Sequence, residues 1–203
     1  MKPHIIILSA ALTLASCEEK KPHTIEFIDP EAENALRNAC VTTYGTCATA
    51  TRDRMSLITD NGDTVDVDLS LARDNGAVMG GCATGDRMAA VSEQGAARPK
   101  TVVNISALMG DWTMPNPLDG SSIVGISIRD GGVAESIDQS TIIYRTWRLV
   151  DGRLEITLVR EGGGDEEEVN LYDIMKLDND SLVIGNDEDT FEYGRGGSGG
   201  GTL

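Results

Sequence analysis

The chain is 203 residues long and carries 17 Lys and Arg against 33 Asp and Glu, for a formal net charge of −16. So acidic a body repels the phosphate backbone, which excludes nucleic acid as a partner. The two histidines, His4 and His23, both precede residue 24, so neither a Ser-His-Asp nor a Cys-His mechanism has a base in the strand-rich body, and imidazole metal sites are absent from it.

Residues 1–16 open with Lys2, run apolar from position 5 to 14, and reach Leu14-Ala15-Ser16-Cys17. A bilayer-spanning helix needs about 20 apolar residues, whereas this shorter run suits a secretory leader. The small residues before Cys17 resemble the lipobox of bacterial lipoproteins, which predicts removal of residues 1–16 and a lipidated Cys17 as the new first residue. One acyl chain binds a membrane only marginally; several on one cysteine hold firmly. The residue after Cys17 is Glu18 rather than Asp, and Glu18-Glu19-Lys20-Lys21 is similar to the charged export tags of surface lipoproteins. Both features point to the outer membrane, on its periplasmic or cell-surface face, with residues 17–28 as the tether.

Asp29-Pro30-Glu31 offers an N-cap followed by Pro at the first helical position, and Ala32, Leu36 and Ala39 share a stripe. A short helix over 29–39 is predicted. Alternating runs then follow at 44–50, 55–59, 64–71, 86–92 and 101–105. Asn61-Gly62 between two of them is a hairpin signal. Alternation turns Val65, Val67, Leu69 and Leu71 inward and Asp66 and Asp68 outward. Five short strands predict a small OB- or SH3-like barrel within 29–106. Cys40, Cys47 and Cys82 leave two accounts open: one disulfide with one free thiol, or three small apolar side chains.

A second block over 107–195 contains eight runs, at 108–114, 123–129, 133–137, 142–150, 154–160, 167–177, 181–185 and 190–194. Short turns such as Asp130-Gly131-Gly132, Asp151-Gly152 and Asn179-Asp180 join them. Sequential hairpins with no helical period predict an antiparallel meander, and eight strands close around a space for side chains or one small ligand. The fold class is all-β. Residues 196–203, nearly all Gly and Ser, are predicted to be disordered.

Gly110-Asp111-Trp112, opening this meander, resembles the Gly-x-Trp start of the lipocalins. With Gly131-Gly132-Val133-Ala134-Glu135-Ser136-Ile137, Tyr144-Arg145-Thr146-Trp147-Arg148-Leu149, Gly152-Arg153-Leu154-Glu155-Ile156, Leu177-Asp178-Asn179-Asp180-Ser181-Leu182 and Tyr193-Gly194-Arg195, residues 108–195 resemble the lipocalin-like domain of small lipoproteins from anaerobic Gram-negative bacteria. The resemblance implies a barrel with Trp112 at its floor, and implies fold more than activity.

Alternation places Arg145 beside Ile143, Trp147 and Leu149, and Asp173 beside Leu171 and Met175. Facing inward, the two charges would need each other or a ligand; a β-bulge that flips the register would instead send them to solvent. Tyr144, Trp147 and Phe191 are candidates to line a ligand site, and Trp112 and Trp147 also read as core. The loop over 114–120 could lid an open end. No catalytic residue, cofactor or metal is expected. The reading is a lipid-anchored, non-enzymatic binding module for a small apolar molecule, or a surface module. The alternative is a structural lipoprotein with solid barrels that docks protein or glycan partners.

Overall fold

The computed structural model describes residues 40–196 apart from Gly163 and Asp165. The leader, lipidated Cys17, tether, helix over 29–39 and nearly all of the Gly/Ser tail lie outside the described residues.

The first block comprises β1 (Cys40–Ala50), β2 (Arg54–Thr59), β3 (Thr64–Asp68), helix α1 (Ser70–Asp74), β4 (Val78–Met79), β5 (Arg87–Glu93), β6 (Thr101–Asn104) and helix α2 (Ile105–Leu108). Its six strands form one sheet in the order β3-β2-β1-β5-β6-β4. The β2–β3 hairpin turns at Gly62, where φ is +88° and a side chain would be strained. The run expected over 64–71 stops at Asp68, whose carboxylate accepts from the Ser70 amide and hydroxyl and redirects the chain into α1. Leu71 is therefore exposed on α1, and Val65 is exposed on an edge strand, where alternation alone turned both inward.

The sheet does not close into the small barrel expected from five alternating runs, since β3 pairs only with β2 and β4 only with β6. The physical reason lies in β5 and β6, which bury both faces. Met88, Ala90 and Val102 pack with Cys47, Met55, Leu57 and Leu69 on one side. Ala89 and Val103 pack on the other, into the core of the second block. A barrel strand has only one buried face, whereas a strand covered on both reads as a continuous apolar run, as Met88-Ala89-Ala90-Val91 does.

The second block runs β7 (Gly110–Pro115), β8 (Ile123–Ile128), β9 (Ala134–Ile137), β10 (Ile142–Val150), β11 (Arg153–Arg160), β12 (Glu167–Leu177), β13 (Ser181–Gly185) and β14 (Thr190–Arg195). Each strand pairs antiparallel with its chain neighbour except at one place, and β14 returns to β7 through Gly194 against Thr113 and Arg195 against Trp112. The result is the expected meander, an almost closed eight-stranded barrel. The exception is the seam between β9 and β10, bridged by Val133 and Thr146. There the Ser136 hydroxyl replaces missing ladder bonds, donating to the Ile142 carbonyl at 2.7 Å and accepting from the Tyr144 amide at 2.9 Å. Ser136→Ala strands both groups and is expected to cost about 1–2 kcal/mol. Hydrogen exchange would check it: amides of β9 and of residues 142–146 should exchange faster while those of β11 to β13 stay protected.

One end of the barrel rests against the first sheet. Ile105 and Leu108 of α2 join Ala89 and Val103 in the cluster that contains Trp112, Leu149, Leu154 and Ile174. Gly80 makes the close approach: its amide donates to the Leu177 carbonyl at 3.0 Å, and a Cβ there would strike Ala107 and Asn104 at 2.8 Å. The two blocks thus share a core.

Candidate functional site

Side chains fill the inside of the barrel. Trp112, Ile126, Ile128, Leu154, Leu182 and Ile184 are all buried. At the end beside α2, the Trp112 indole donates to the Leu108 carbonyl at 2.7 Å, and the Arg195 guanidinium lies 3.9 Å from its ring centre. Toward the far end, β10, β12 and β14 bring Tyr144, Tyr172, Phe191 and Tyr193 together. Phe191 meets Tyr172 edge-on at 5.9 Å and stacks on Tyr193 at 6.3 Å.

Burial is the main cause of the raised pKa of two of these phenols. Tyr172 is pushed up to about 12, with Tyr144 and Asp189 adding to the effect. Tyr193 is raised further, by burial first and then by Tyr144. Because the folded state holds these protons more tightly than an unfolded chain near pH 10, their stabilisation is complete below pH 10 and fades as pH rises through 12. Thermal melts between pH 9 and about 12.5, with tyrosinate absorbance followed in parallel, should show stability falling as the phenols ionise. Tyr172→Phe should flatten that fall; an identical slope in the variant would refute the assignment.

Among the described residues, two of the clefts lie outside the barrel, both where it meets the first sheet. The larger, about 840 Å³, has one wall from the first sheet (Ala77, Met79, Glu93, Lys100, Thr101) and another from β12 and the β10–β11 turn (Asp151, Gly152, Arg153, Asp173, Ile174). Thr101 and Gly152 approach closely, since a Cβ on Gly152 would lie 3.1 Å from the Thr101 methyl, and φ is +85° there. The smaller, about 240 Å³, lies between Tyr44, Arg87 and Ile105 on one side and the Asp130-Gly131-Gly132 corner with Trp147, Arg148 and Leu149 on the other. Its two guanidiniums are already engaged: Arg87 grips Asp60 with both terminal nitrogens, and Arg148 holds Glu155 at 2.5 Å.

The residues singled out from sequence are dispersed. Arg145 is exposed on a bulge, where the β10–β11 register shifts between Tyr144 and Thr146. That bulge keeps Tyr144, Trp147 and Leu149 all turned inward and ejects the arginine. Asp173 is also exposed, because β12 turns Tyr172 and Ile174 inward and its other face out; Met175 on that face is 60% exposed. Arg145 and Asp173 therefore form no inward pair. Trp147 is core, its indole donating to the Arg129 carbonyl at 2.7 Å, and it borders the small cleft. Tyr144 and Phe191 are half-buried at the far end of the barrel. Asp173 alone reaches the large cleft.

Sequence reading missed Lys100, Glu93, Asp151 and Arg153, which sit in turns and strand ends and look like ordinary solvated charges. Nothing local marks them, because the cleft exists only once the first sheet docks. Cys40, Cys47 and Cys82 are free thiols: Cys47 is core, Cys82 packs against it, and Cys40 lines the large cleft. The loop after β7 does not fold over the barrel as a lid. Asp119 accepts from Ser121 and Ser122, Asn116 accepts from the Leu118 amide, and Leu118 is left 87% exposed at the tip. Among the described residues, no group of three or more His, Cys, Asp or Glu could hold a metal ion.

A sequential antiparallel barrel floored by a tryptophan under an arginine, with clefts beside it, defines a small, nearly closed β-barrel. Residues 104–196 match the family of lipocalin-like domains, and the chain carries a lipocalin-like domain. It is similar to a solved lipocalin-like protein from Bacteroides thetaiotaomicron VPI-5482, at 32% identity over 44% of this chain and 97% of that one, with a TM-score of 0.40. No curated protein matches the chain. Proteins of the lipocalin-like family are generally binding proteins rather than enzymes, and the fold supports that role here.

Proposed function

We propose that this chain is a lipid-anchored, non-enzymatic binding module of the outer membrane, tethered through Cys17 and taking its partner beside the barrel, not inside it. One contrast carries the reading. The barrel interior is filled with Trp112 and its aliphatic neighbours, while the junction cleft offers about 840 Å³ within the range of roughly 300–1,000 Å³ typical of ligand sites. The lipobox and charged tag supply the anchor and the compartment.

Two measurements test it. Wild-type protein should take up labelled palmitate and fractionate with outer membranes, whereas Cys17→Ala should do neither; unlabelled wild type would end the anchoring part. Native mass spectrometry of protein purified from its own host should show a retained molecule, released when the cleft is altered by Thr101→Trp. If nothing is retained, and the cleft variant behaves as wild type in its host, the binding part fails.

A second reading follows from the half-buried Tyr144 and Phe191 at the far end of the barrel. They could seat a small apolar molecule at the mouth. In that case Phe191→Ala, and not Thr101→Trp, would release the retained molecule.

A further inference from the structure

Five charged side chains line the larger cleft. Lys100 and Glu93 stand on the first-sheet wall, and Arg153, Asp151 and Asp173 on the barrel wall. Among the described residues none of the five forms an ion pair within 4.0 Å, although Arg129, Arg148, Arg160 and Lys176 of the same barrel each reach a carboxylate. The Lys100 ammonium is held above its ordinary pKa by the Cys40 thiol first and, more distantly, by Glu93 and Asp151. The arrangement of the five is ordered: each wall presents one cation and at least one carboxylate beside the apolar side chains of Ala77, Met79 and Ile174.

That arrangement sorts ligands by charge. An apolar molecule could offer contact only to Ala77, Met79 and Ile174 while stripping water from five charges, at a cost of several kcal/mol for each one fully buried. A polyanion would meet three carboxylates on a body of net charge −16. A polycation would meet Lys100 and Arg153. No aromatic ring is among the lining residues, so a sugar would find no stacking platform. A chain that carries both signs, with backbone amides for Gln94 and Thr101 to bond, satisfies every group present.

We propose that this cleft binds a short zwitterionic peptide, its acidic side chains set against Lys100 and Arg153 and its basic ones against Glu93, Asp151 and Asp173. The inference rests on the binding-module reading and names its ligand class.

The test exposes the full-length chain, immobilised from detergent, to an equimolar random hexapeptide library at low salt and sequences the bound fraction by mass spectrometry. Peptides carrying both acidic and basic residues should be enriched at least tenfold. The enrichment should vanish at about 1 M salt, where the Debye length falls to about 3 Å. Lys100→Ala with Arg153→Ala should erase the preference for acidic residues, and Glu93→Gln with Asp173→Asn the preference for basic ones. Arg145→Ala, an exposed arginine outside the cleft, should change nothing. Circular dichroism melts confirm that each variant folds. No enrichment, enrichment of uncharged peptides, or a profile unmoved by either double variant would overturn the proposal, as would retention of chitohexaose in place of any peptide. If no peptide carrying both signs is enriched but native mass spectrometry still shows a molecule released by Thr101→Trp, the peptide class falls while the binding module stands.

Discussion

Trp112→Ala is expected to destabilise the protein by about 3–5 kcal/mol, a large share of the 5–15 kcal/mol that holds a typical domain together. Trp112 is fully buried, at 0% exposure, so its removal empties the barrel floor and also orphans the Leu108 carbonyl that its indole bonds. Arg195 amplifies the loss. Its guanidinium covers the ring and donates to the carbonyls of Ala107, Met109 and Asn179 at 2.7, 2.7 and 2.9 Å, which ties α2, the approach to β7 and the β12–β13 turn to the last strand. Without the ring, that fork loses its platform. Gly110 belongs to the same device, because φ is +133° there and a Cβ would lie 2.5 Å from the Arg195 guanidinium. Urea unfolding measures the effect, and Arg195→Lys separates its parts. A lysine keeps the charge over the ring but cannot reach three carbonyls at once, so it should cost roughly 1–3 kcal/mol. A Trp112→Ala protein within about 1 kcal/mol of wild type would mean the floor is not a keystone.

The same geometry explains which parts of the fold could be read from the chain. Strands such as β10 and β12 were legible because each buries one face. Trp147 and Leu149 are buried on either side of exposed Arg148, Tyr172 and Ile174 on either side of exposed Asp173, and the turns between strands are Gly- and Asp-rich. Strands β5 and β6 carry no such alternation, since Ala89 and Val103 serve one core and Ala90 and Val102 another. Two covered faces are invisible to a rule that assumes one. Arg145 defeated alternation for a different reason: a single extra residue at the bulge reverses every side chain beyond it. The cleft was illegible in principle. Glu93 and Lys100 meet Asp151, Arg153 and Asp173 only through docking of the sheet on the barrel, and a charge in a turn has the same local sequence whether it faces a partner or bulk water.

Gly125→Ala tests how tightly the barrel wall is drawn. A glycine in mid-strand without special backbone angles is ordinarily improved by alanine, by about 0.5–1 kcal/mol, because the unfolded chain loses freedom. Here the sign should reverse. A Cβ on Gly125 would run into the backbone carbonyl of Trp112 and sit 3.0 Å from the Thr113 Cα, and neither atom can rotate away as a side chain could. Moving β8 outward would break its register with Thr113 on one side and Ile137 on the other, along with the bond from the Gln139 amide to the Gly125 carbonyl. β9 offers little resistance, being the strand at the seam, so the strain should spread toward Ser136 and open the barrel there. A cost of about 3 kcal/mol or more is expected, at or above the usual range for overpacking. Gly194→Ala is the matched control: it too lies in a strand, but the nearest backbone oxygens to its Cβ are 3.9 Å away. Urea denaturation of the pair decides the matter, since two alanine variants of equal stability would show that the β7–β8 approach is not tight enough to exclude a methyl group.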